Sequence, residues 1–285
     1  MSVWPLKIIV KLLLSFVPGR HRILRRFGIF RHGEMDSVAY AHKIFTIHMK
    51  RAFPNGFPSQ FTALELGPGD SVFSALIAKG YGASKIYLAD AGHYAQTDIE
   101  LYKHAAKQLR NEYKIDAPDI EQAQSFEEIL DICDAVYITN GLAGLQDIPD
   151  ASVDFIWSHA VLEHIRLTEY APTMRELARV VKKKNGRVSH NVDLKDHLDY
   201  SLNNLRFSEA LWEKDFIAQA GFYTNRLRYT QSVKHMVDSG FNIIDEDIGR
   251  WDQVPLAQEK LWGPFKEMSD EELIIRGFSV VLQAA

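Results

Sequence analysis

Short apolar segments alternate with segments of helical spacing along most of this chain. The first apolar segment, Phe61–Leu66, has the length of a buried strand, and residues 72–78 after it have helical spacing. The same alternation predicts further strands at residues 85–89, 135–139, 153–158, 186–192, 241–245 and 278–283. Strands separated by helices are typical of a parallel sheet covered by helices on both faces. The predicted fold class is α/β, a Rossmann-like, doubly wound and mostly parallel seven-stranded sheet whose last strand is antiparallel.

Two parts of the chain interrupt this alternation. Residues 1–58 are predicted to form a basic amphipathic helical extension, because residues 4–17 are apolar on all but one narrow lysine-containing stripe. Residues 59–285 are predicted to form one domain. Within it, an insertion near residues 195–229 is rich in aromatic side chains and lacks a regular period.

Charge is distributed unevenly along the chain. The net charge is -4, yet residues 1–60 carry ten basic and two acidic side chains, and residues 1–32 carry no acidic side chain. This separation predicts that the extension faces an anionic phospholipid surface, a nucleic acid or the acidic domain itself. The alternative is a helix packed on the domain as a lid or a dimer contact. The apolar segment Ile8–Val17 is shorter than the roughly 20 residues of a membrane-spanning helix.

A glycine turn follows the first predicted strand. Gly67, Pro68 and Gly69 come directly after it, and ligands of open α/β sheets bind outside the carboxyl ends of the strands. Glycine lets a ligand approach the backbone closely. Asp90 ends the second predicted strand, where a carboxylate can accept hydrogen bonds from both ribose hydroxyls of an adenosine. The two features together predict a ligand that contains adenosine.

Two features separate this turn from a dinucleotide-binding turn. The dinucleotide fingerprint G-x-G-x-x-G needs a third glycine, and Val72 occupies that position here. Glu65, two residues before Gly67, would confront the pyrophosphate of a dinucleotide. A sulfonium ligand with an amino-acid tail is compatible with negative charge at this position.

Three segments in this order resemble class I S-adenosylmethionine-dependent methyltransferases of the type 11 kind. They are Glu65-Leu66-Gly67-Pro68-Gly69-Asp70-Ser71, then Tyr87-Leu88-Ala89-Asp90, then Ile148-Pro149-Asp150-Ala151-Ser152-Val153-Asp154-Phe155-Ile156-Trp157-Ser158-His159-Ala160-Val161-Leu162-Glu163-His164. The resemblance covers roughly residues 60–195 and implies S-adenosylmethionine as the cofactor.

The resemblance also implies which residues contact each part of the cofactor. Glu65, Gly67 and Gly69 would line the methionine part together with Pro68, and Asp90 would bind the ribose. The segment that begins at Ser158 would lie near the transferable methyl group. Such enzymes often carry an aspartate after the third strand, and residues 140–144 here have none. Adenine contact is therefore expected through the backbone near Leu142.

Histidines follow the fourth and fifth predicted strands, where the methyl group is expected. His159 and His164 flank the end of the fourth strand, and His190, Asp193 and His197 come at the end of the fifth. Histidine is the commonest general base near neutral pH, so His159, His164 and His190 are the candidate catalytic residues. The alternative for each is structural, with His164 packing its helix and His190 buried in its strand.

The sequence predicts an enzyme that transfers a methyl group to an oxygen or nitrogen atom of a small-molecule or glycan acceptor. Arg226 and Arg228 are expected to bind an acceptor phosphate or carboxylate, or else to form a solvated turn. The alternatives are a nucleic-acid methyltransferase, which is less favoured, and a non-catalytic nucleotide-binding module. The single Cys133 makes no zinc cluster, and no metal site is predicted. The expected location is cytoplasmic, at the inner membrane if the extension binds lipid.

Overall fold

The computed structural model describes residues 4–15 and 35–285 of the protein, and of the first segment it describes the side chains of residues 4–12. The strands are β1 Phe61–Leu66, β2 Ala83–Ala89, β3 Ala135–Ile138, β4 Phe155–His159, β5 Arg187–Asp193, β6 Phe241–Arg250 and β7 Ile275–Ala284. The α-helices are α1 Trp4–Ser15, α2 Val38–Ala52, α3 Phe73–Gly80, α4 Ile99–Asn111, α5 Phe126–Ile132, α6 Leu142–Leu145, α7 Leu167–Val180, α8 Glu209–Trp212, α9 Asp215–Ala218, α10 Tyr229–Asp238 and α11 Asp270–Leu273. Short 3-10 helices are Leu162–His164, Asn203–Arg206, Gln258–Lys260 and Gly263–Glu267.

The strands form one sheet in the order β3-β2-β1-β4-β5-β7-β6. β1 to β5 pair in parallel, and β7 runs antiparallel to both β5 and β6. This arrangement confirms the predicted fold class. It also brings the carboxyl ends of β1, β2, β4 and β5 to one edge of the sheet, where the strand order reverses between β1 and β4.

The last two strands are longer than predicted. β6 was expected to end at Asp245 and instead continues to Arg250 through an acidic segment. β6 lies at the edge of the sheet, so charged side chains there remain in solvent while the backbone still pairs with β7. The charged run therefore hid the second half of the strand from a prediction based on hydrophobicity.

Alternate residues of the central strands face two separate cores. Ala63 and Trp157 pack in one core with α2, α3, α4 and α5, whereas Leu64 and Ile156 pack in the other with α7 and α10. Because successive side chains of a strand point to opposite faces, strands buried on both faces are mostly apolar, as β1 is apart from Thr62 and Glu65. Helices thus cover both faces of the sheet.

Helix α2 packs directly on the sheet, although the sequence assigns it to the extension. Ser37 caps its first turn by accepting a hydrogen bond from the Tyr40 backbone N–H. On its inner side, Phe45 and Met49 are fully buried, and the Phe45 ring meets Trp157 edge-on at 5.3 Å between centroids. This packing places α2 beside β4 and β5, next to the edge where the strand ends converge.

Helix α1 packs on the predicted insertion. Trp4, Ile8 and Leu12 lie against an apolar cluster that includes Trp212, while Lys7 Nζ donates to the Leu198 carbonyl at 2.7 Å. The lysine stripe thus faces protein carbonyls, which agrees with the packed alternative for this helix. The predicted helical residues 16–17 and the basic stretch 20–31 lie outside the described residues. Among the residues that the structure describes, no helix is both long and apolar enough to span a bilayer.

Candidate functional site

The turn after β1 depends on two glycines. Gly67 and Gly69 both have φ of +70°, a left-handed conformation that costs other residues roughly 1–2 kcal/mol. A Cβ atom at Gly67 would also lie 2.4 Å from Cγ2 of Val161, which follows β4. The turn therefore packs closely against the β4 end, and only glycine fits between them.

Glu65 is buried beneath this turn and fully hydrogen-bonded within the protein. Its Oε1 accepts a hydrogen bond from Trp157 Nε1 at 3.0 Å, and its Oε2 accepts one from the Ser74 hydroxyl. Burial raises the pKa of Glu65 to about 7, although both hydrogen bonds act to lower it, and the nearby Asp90 charge raises it further. The carboxylate thus joins β1, β4 and α3 under the glycine turn.

We expect Glu65→Gln to remove a pH dependence of stability. In the unfolded chain this carboxyl ionises near the ordinary glutamate pKa of 4.5, whereas in the fold it ionises near 7. Between these values the fold keeps a proton that the unfolded chain has lost. The free energy of unfolding is therefore highest below about pH 4.5 and falls towards pH 7, by up to about 1.4 kcal/mol per pH unit. Glutamine does not titrate, so the variant lacks this slope.

Urea unfolding of both proteins between about pH 5 and 7 measures this pH dependence of the free energy of unfolding. Parallel pH profiles of the two proteins would contradict the prediction.

Asp90 lies at the end of β2 and faces the same turn. Its Oδ2 accepts a hydrogen bond from the Gly69 backbone N–H at 3.1 Å, and its Oδ1 accepts one from Ala91 at 2.8 Å. Gly141, at the start of α6, donates its backbone N–H to the Asp90 carbonyl at 2.9 Å. Leu142 follows directly. The structure thus brings together the glycine turn, Asp90 and Leu142, three features far apart in sequence.

His159, at the end of β4, belongs to a chain of polar groups that the sequence did not reveal. His48 Nε2 is hydrogen-bonded to His159 Nδ1 at 3.2 Å, and His48 Nδ1 is bonded to the Ser189 hydroxyl at 2.8 Å. Burial lowers the pKa of His48 well below its usual value and lowers that of His159 as well, with Lys43 adding to the second effect. Both rings are therefore neutral near pH 7. His48 was missed because it reaches this edge only through the packing of α2.

Ser158 and His190 form a buried pair between β4 and β5. Neither residue exposes more than a trace of surface, and Ser158 Oγ lies 2.7 Å from His190 Nδ1. Burial lowers the pKa of His190 to about 3. A ring in this position does not reach the open edge of the sheet, which agrees with the structural alternative for His190.

His164 lies in the 3-10 helix after β4 and faces the loop after β5. Its ring is 4.8 Å from that of His197, centroid to centroid. The adjacent Glu163 is buried, and burial raises its pKa to about 8 with a further contribution from Asp193. Burial also lowers the pKa of His197 to about 4. These side chains form a second polar group at the edge that holds His159.

Arg226 and Arg228 are buried, so the predicted acceptor clamp is wrong. Arg228 donates to the carbonyls of Leu194 and Ile275. Arg226 donates to the Phe207 carbonyl at 2.7 Å and stacks over an aromatic ring of the insertion. The Arg228 guanidinium therefore links the end of the insertion to the start of β7, whereas Arg226 bonds within the insertion. Their spacing gave no sign of burial, because the contacts involve residues far away in sequence.

Comparison with known protein families gives one match, which covers the part of the chain that holds this site. Residues 64–188 match the sequence model of a family described as "Methyltransferase domain". No curated protein sequence matches the chain.

The fold is also similar to those of solved methyltransferases. A SAM-dependent methyltransferase from Methanosarcina mazei is 15% identical with a TM-score of 0.49, over 81% of this chain and 96% of that one. A geranyl diphosphate C-methyltransferase from Streptomyces coelicolor is 11% identical with a TM-score of 0.47, over 87% and 79%. A putative methyltransferase in complex with the Trm112 activator from Haloferax volcanii is 16% identical with a TM-score of 0.44, over 86% and 94%.

The family match spans the features that carry the site. It includes Glu65, the glycine turn, Asp90 and the segment that ends at His164. The sheet order and the absence of a third glycine in the turn agree with it. Residues 64–188 therefore form a methyltransferase domain of this family, which agrees with the predicted resemblance to class I S-adenosylmethionine-dependent methyltransferases.

Proposed function

We propose that the enzyme methylates an oxygen or nitrogen atom of a small-molecule or glycan acceptor bound at the carboxyl ends of β4 and β5. The observation that carries this proposal is the convergence of the glycine turn and the β4 end, since a Cβ at Gly67 would touch Val161. His159 and His164 lie just before and just after Val161. His159 and His164 therefore lie beside the turn that we assign to the methionine part of the cofactor.

We assign the cofactor contacts on the same basis. Gly67, Pro68 and Gly69 contact the methionine part of the cofactor, and Glu65 is buried beneath them. Asp90 accepts the ribose hydroxyls, and Leu142 lies beside the adenine. The turn fits such a ligand, because Gly67 and Gly69 have no side chains that would keep a ligand away from the backbone. Ser158 contributes to the site through its backbone in β4, because its hydroxyl is hydrogen-bonded to His190.

His159 is the side chain best placed to remove a proton from the acceptor. Methyl transfer from a sulfonium is an in-line displacement, so positioning supplies much of the rate and a base removes the proton of a hydroxyl or ammonium acceptor. A lowered pKa keeps His159 unprotonated near pH 7, and His48 holds its ring in place. His164 is the second candidate, and His190 is disfavoured because it is buried.

Release of S-adenosylhomocysteine with a panel of hydroxyl, amine and glycan acceptors tests this proposal. We expect turnover with at least one acceptor and a loss of about 10²- to 10⁴-fold in kcat for His159→Ala, the usual effect of losing a general base. His104→Ala, an exposed histidine on α4, is the matched control and retains activity. Cofactor binding without turnover on any acceptor would favour a non-catalytic module. Turnover on nucleic acid alone, with binding that weakens steeply with salt, would favour the nucleic-acid alternative.

We also propose that the extension contacts an anionic membrane surface, which would place the enzyme peripherally at the inner membrane. Leu6, Ile9 and Val10 on α1 remain 61%, 55% and 44% exposed while the opposite side of the helix packs on the insertion. Residues 1–32 contain no acidic side chain. Exposed apolar side chains followed in the sequence by a basic stretch, here residues 20–31, are typical of segments that bind at the interface of an anionic membrane.

Flotation of the full chain with vesicles tests this contact. We expect the enzyme to float with vesicles that contain anionic phospholipid and not with neutral ones. The double variant Leu6→Gln/Ile9→Gln keeps the packed side of α1 and is expected to lose most of this flotation. Equal flotation of the variant and the original protein, or none for either, would rule out the lipid contact.

A further inference from the structure

We propose that Glu163, His164 and His197 bind a divalent transition-metal ion at the acceptor edge of the sheet. One potential ligand atom from each residue lies within 4.8 Å of the other two. Two imidazoles and one carboxylate suit zinc and related first-row divalent ions better than magnesium, which prefers oxygen ligands. The role given to the ion below rests on the proposed function, whereas its binding does not.

Glu163 carries the strongest indication of a missing ligand. Its side chain is buried, and its Oε2 has no hydrogen-bond partner among the residues that the structure describes. The other oxygen, Oε1, accepts a hydrogen bond from the Asp193 backbone N–H at 3.3 Å. A buried carboxylate oxygen without a partner is costly, and a cation beside Oε2 would remove that cost.

Hydrogen bonds to the loop around residue 224 also hold Glu163 and His164 in place. His164 Nδ1 lies 2.8 Å from the Tyr223 carbonyl oxygen, and since a carbonyl only accepts, Nδ1 carries the proton. In the neutral form of this ring the lone pair is then on Nε2, as in metal-binding histidines oriented by a carbonyl. Asn225 donates its backbone N–H to the Glu163 carbonyl at 2.7 Å. These contacts orient two ligands in advance.

The site is open on one side. His164 is exposed and His197 is half-buried, so an ion can enter from solvent, and the side chains would have to move closer together to reach the bond lengths of about 2.0–2.2 Å found around zinc. Three protein ligands leave a coordination position for water or substrate. Glu163 is two residues from Val161, which packs against the glycine turn. The ion would therefore bind an acceptor oxygen and hold the acceptor beside the cofactor.

The sequence predicted no metal, because the three ligands do not form a recognisable spacing. Glu163 and His164 are adjacent in the sequence, but His197 comes much later, after α7 and β5. His164 was a candidate base on the sequence alone, and the metal site gives it a different role. His159 is unaffected and stays the preferred base.

Metal titration of the full-length protein tests the proposal. After treatment with a chelator and dialysis, we expect the protein to bind one Zn²⁺ per chain, and Co²⁺ to bind with visible ligand-field absorption that Zn²⁺ abolishes and Mg²⁺ does not. Glu163→Gln and His197→Ala should each weaken Zn²⁺ binding by at least about 10-fold, the lower end of losses seen even for residues behind the ligands. His104→Ala, the exposed control, should bind Zn²⁺ like the original protein.

Cofactor binding, measured on the same samples, distinguishes a failure of the metal site from a failure of the proposed function. S-adenosylhomocysteine should bind all variants alike, which also shows that they are folded. Absence of Zn²⁺ and Co²⁺ binding, or equal affinity in Glu163→Gln, His197→Ala and the original protein, would overturn the metal site. Metal binding that depends on these two residues supports it, even if no acceptor is methylated.

Discussion

Asp90→Ala is expected to weaken S-adenosylhomocysteine binding by at least about 10-fold, because each hydrogen bond to a charged acceptor contributes roughly 1.5–3 kcal/mol. The substitution removes the carboxylate that we assign to the ribose hydroxyls. It also removes the Oδ2 atom that holds the Gly69 backbone N–H at 3.1 Å, so the turn loses its anchor at the same time. Asp90→Asn keeps one side-chain oxygen and is expected to fall between alanine and the original residue. Titration calorimetry measures all three proteins.

The control for this experiment is Asp252→Ala. Asp252 is exposed in the loop after β6, away from the glycine turn, and its removal changes the net charge by the same amount. We expect it to bind S-adenosylhomocysteine like the original protein. Unchanged affinity in Asp90→Ala, with the fold intact by circular dichroism, would remove the assignment of the ribose site.

Gly67→Ala should lower the free energy of unfolding by about 2–5 kcal/mol, because it combines a left-handed backbone angle with overpacking. The new Cβ would lie 2.4 Å from Val161 Cγ2, so the turn and the β4 end must move apart. Since we assign this turn to the cofactor, S-adenosylhomocysteine binding should be lost together with the stability. Denaturant unfolding and calorimetry on one preparation measure both effects.

Two further variants separate the causes of this loss. Gly240 also has a positive φ, +94°, but a Cβ there would meet nothing within 4 Å. Gly240→Ala should therefore cost only the backbone part, about 1–2 kcal/mol. Adding Val161→Ala to Gly67→Ala should return part of the steric cost, which a double-mutant cycle isolates. Equal costs for Gly67→Ala and Gly240→Ala would show that the contact with Val161 is not tight.

The sequence by itself determined the sheet, the cofactor turn and the order of the motifs. Strands buried on both faces, such as Phe61–Leu66, are mostly apolar, and the turn after this strand needs glycine for its backbone angles. Asp90 could be found because it ends the next strand. These signals are local, since each depends on a few neighbouring residues or on the period of a single element.

The tertiary structure alone decided which distant side chains meet. It brought His48 on α2 to His159, and it buried Arg228, which the sequence had offered as an acceptor ligand. It also placed His197 beside Glu163 and His164. Such contacts depend on how helices and loops pack across the sheet, and the period of one segment contains no information about the residues of another. The sequence therefore predicted the turn and the carboxylate that we assign to the cofactor, whereas only the packing revealed the polar groups at the edge that we assign to the acceptor.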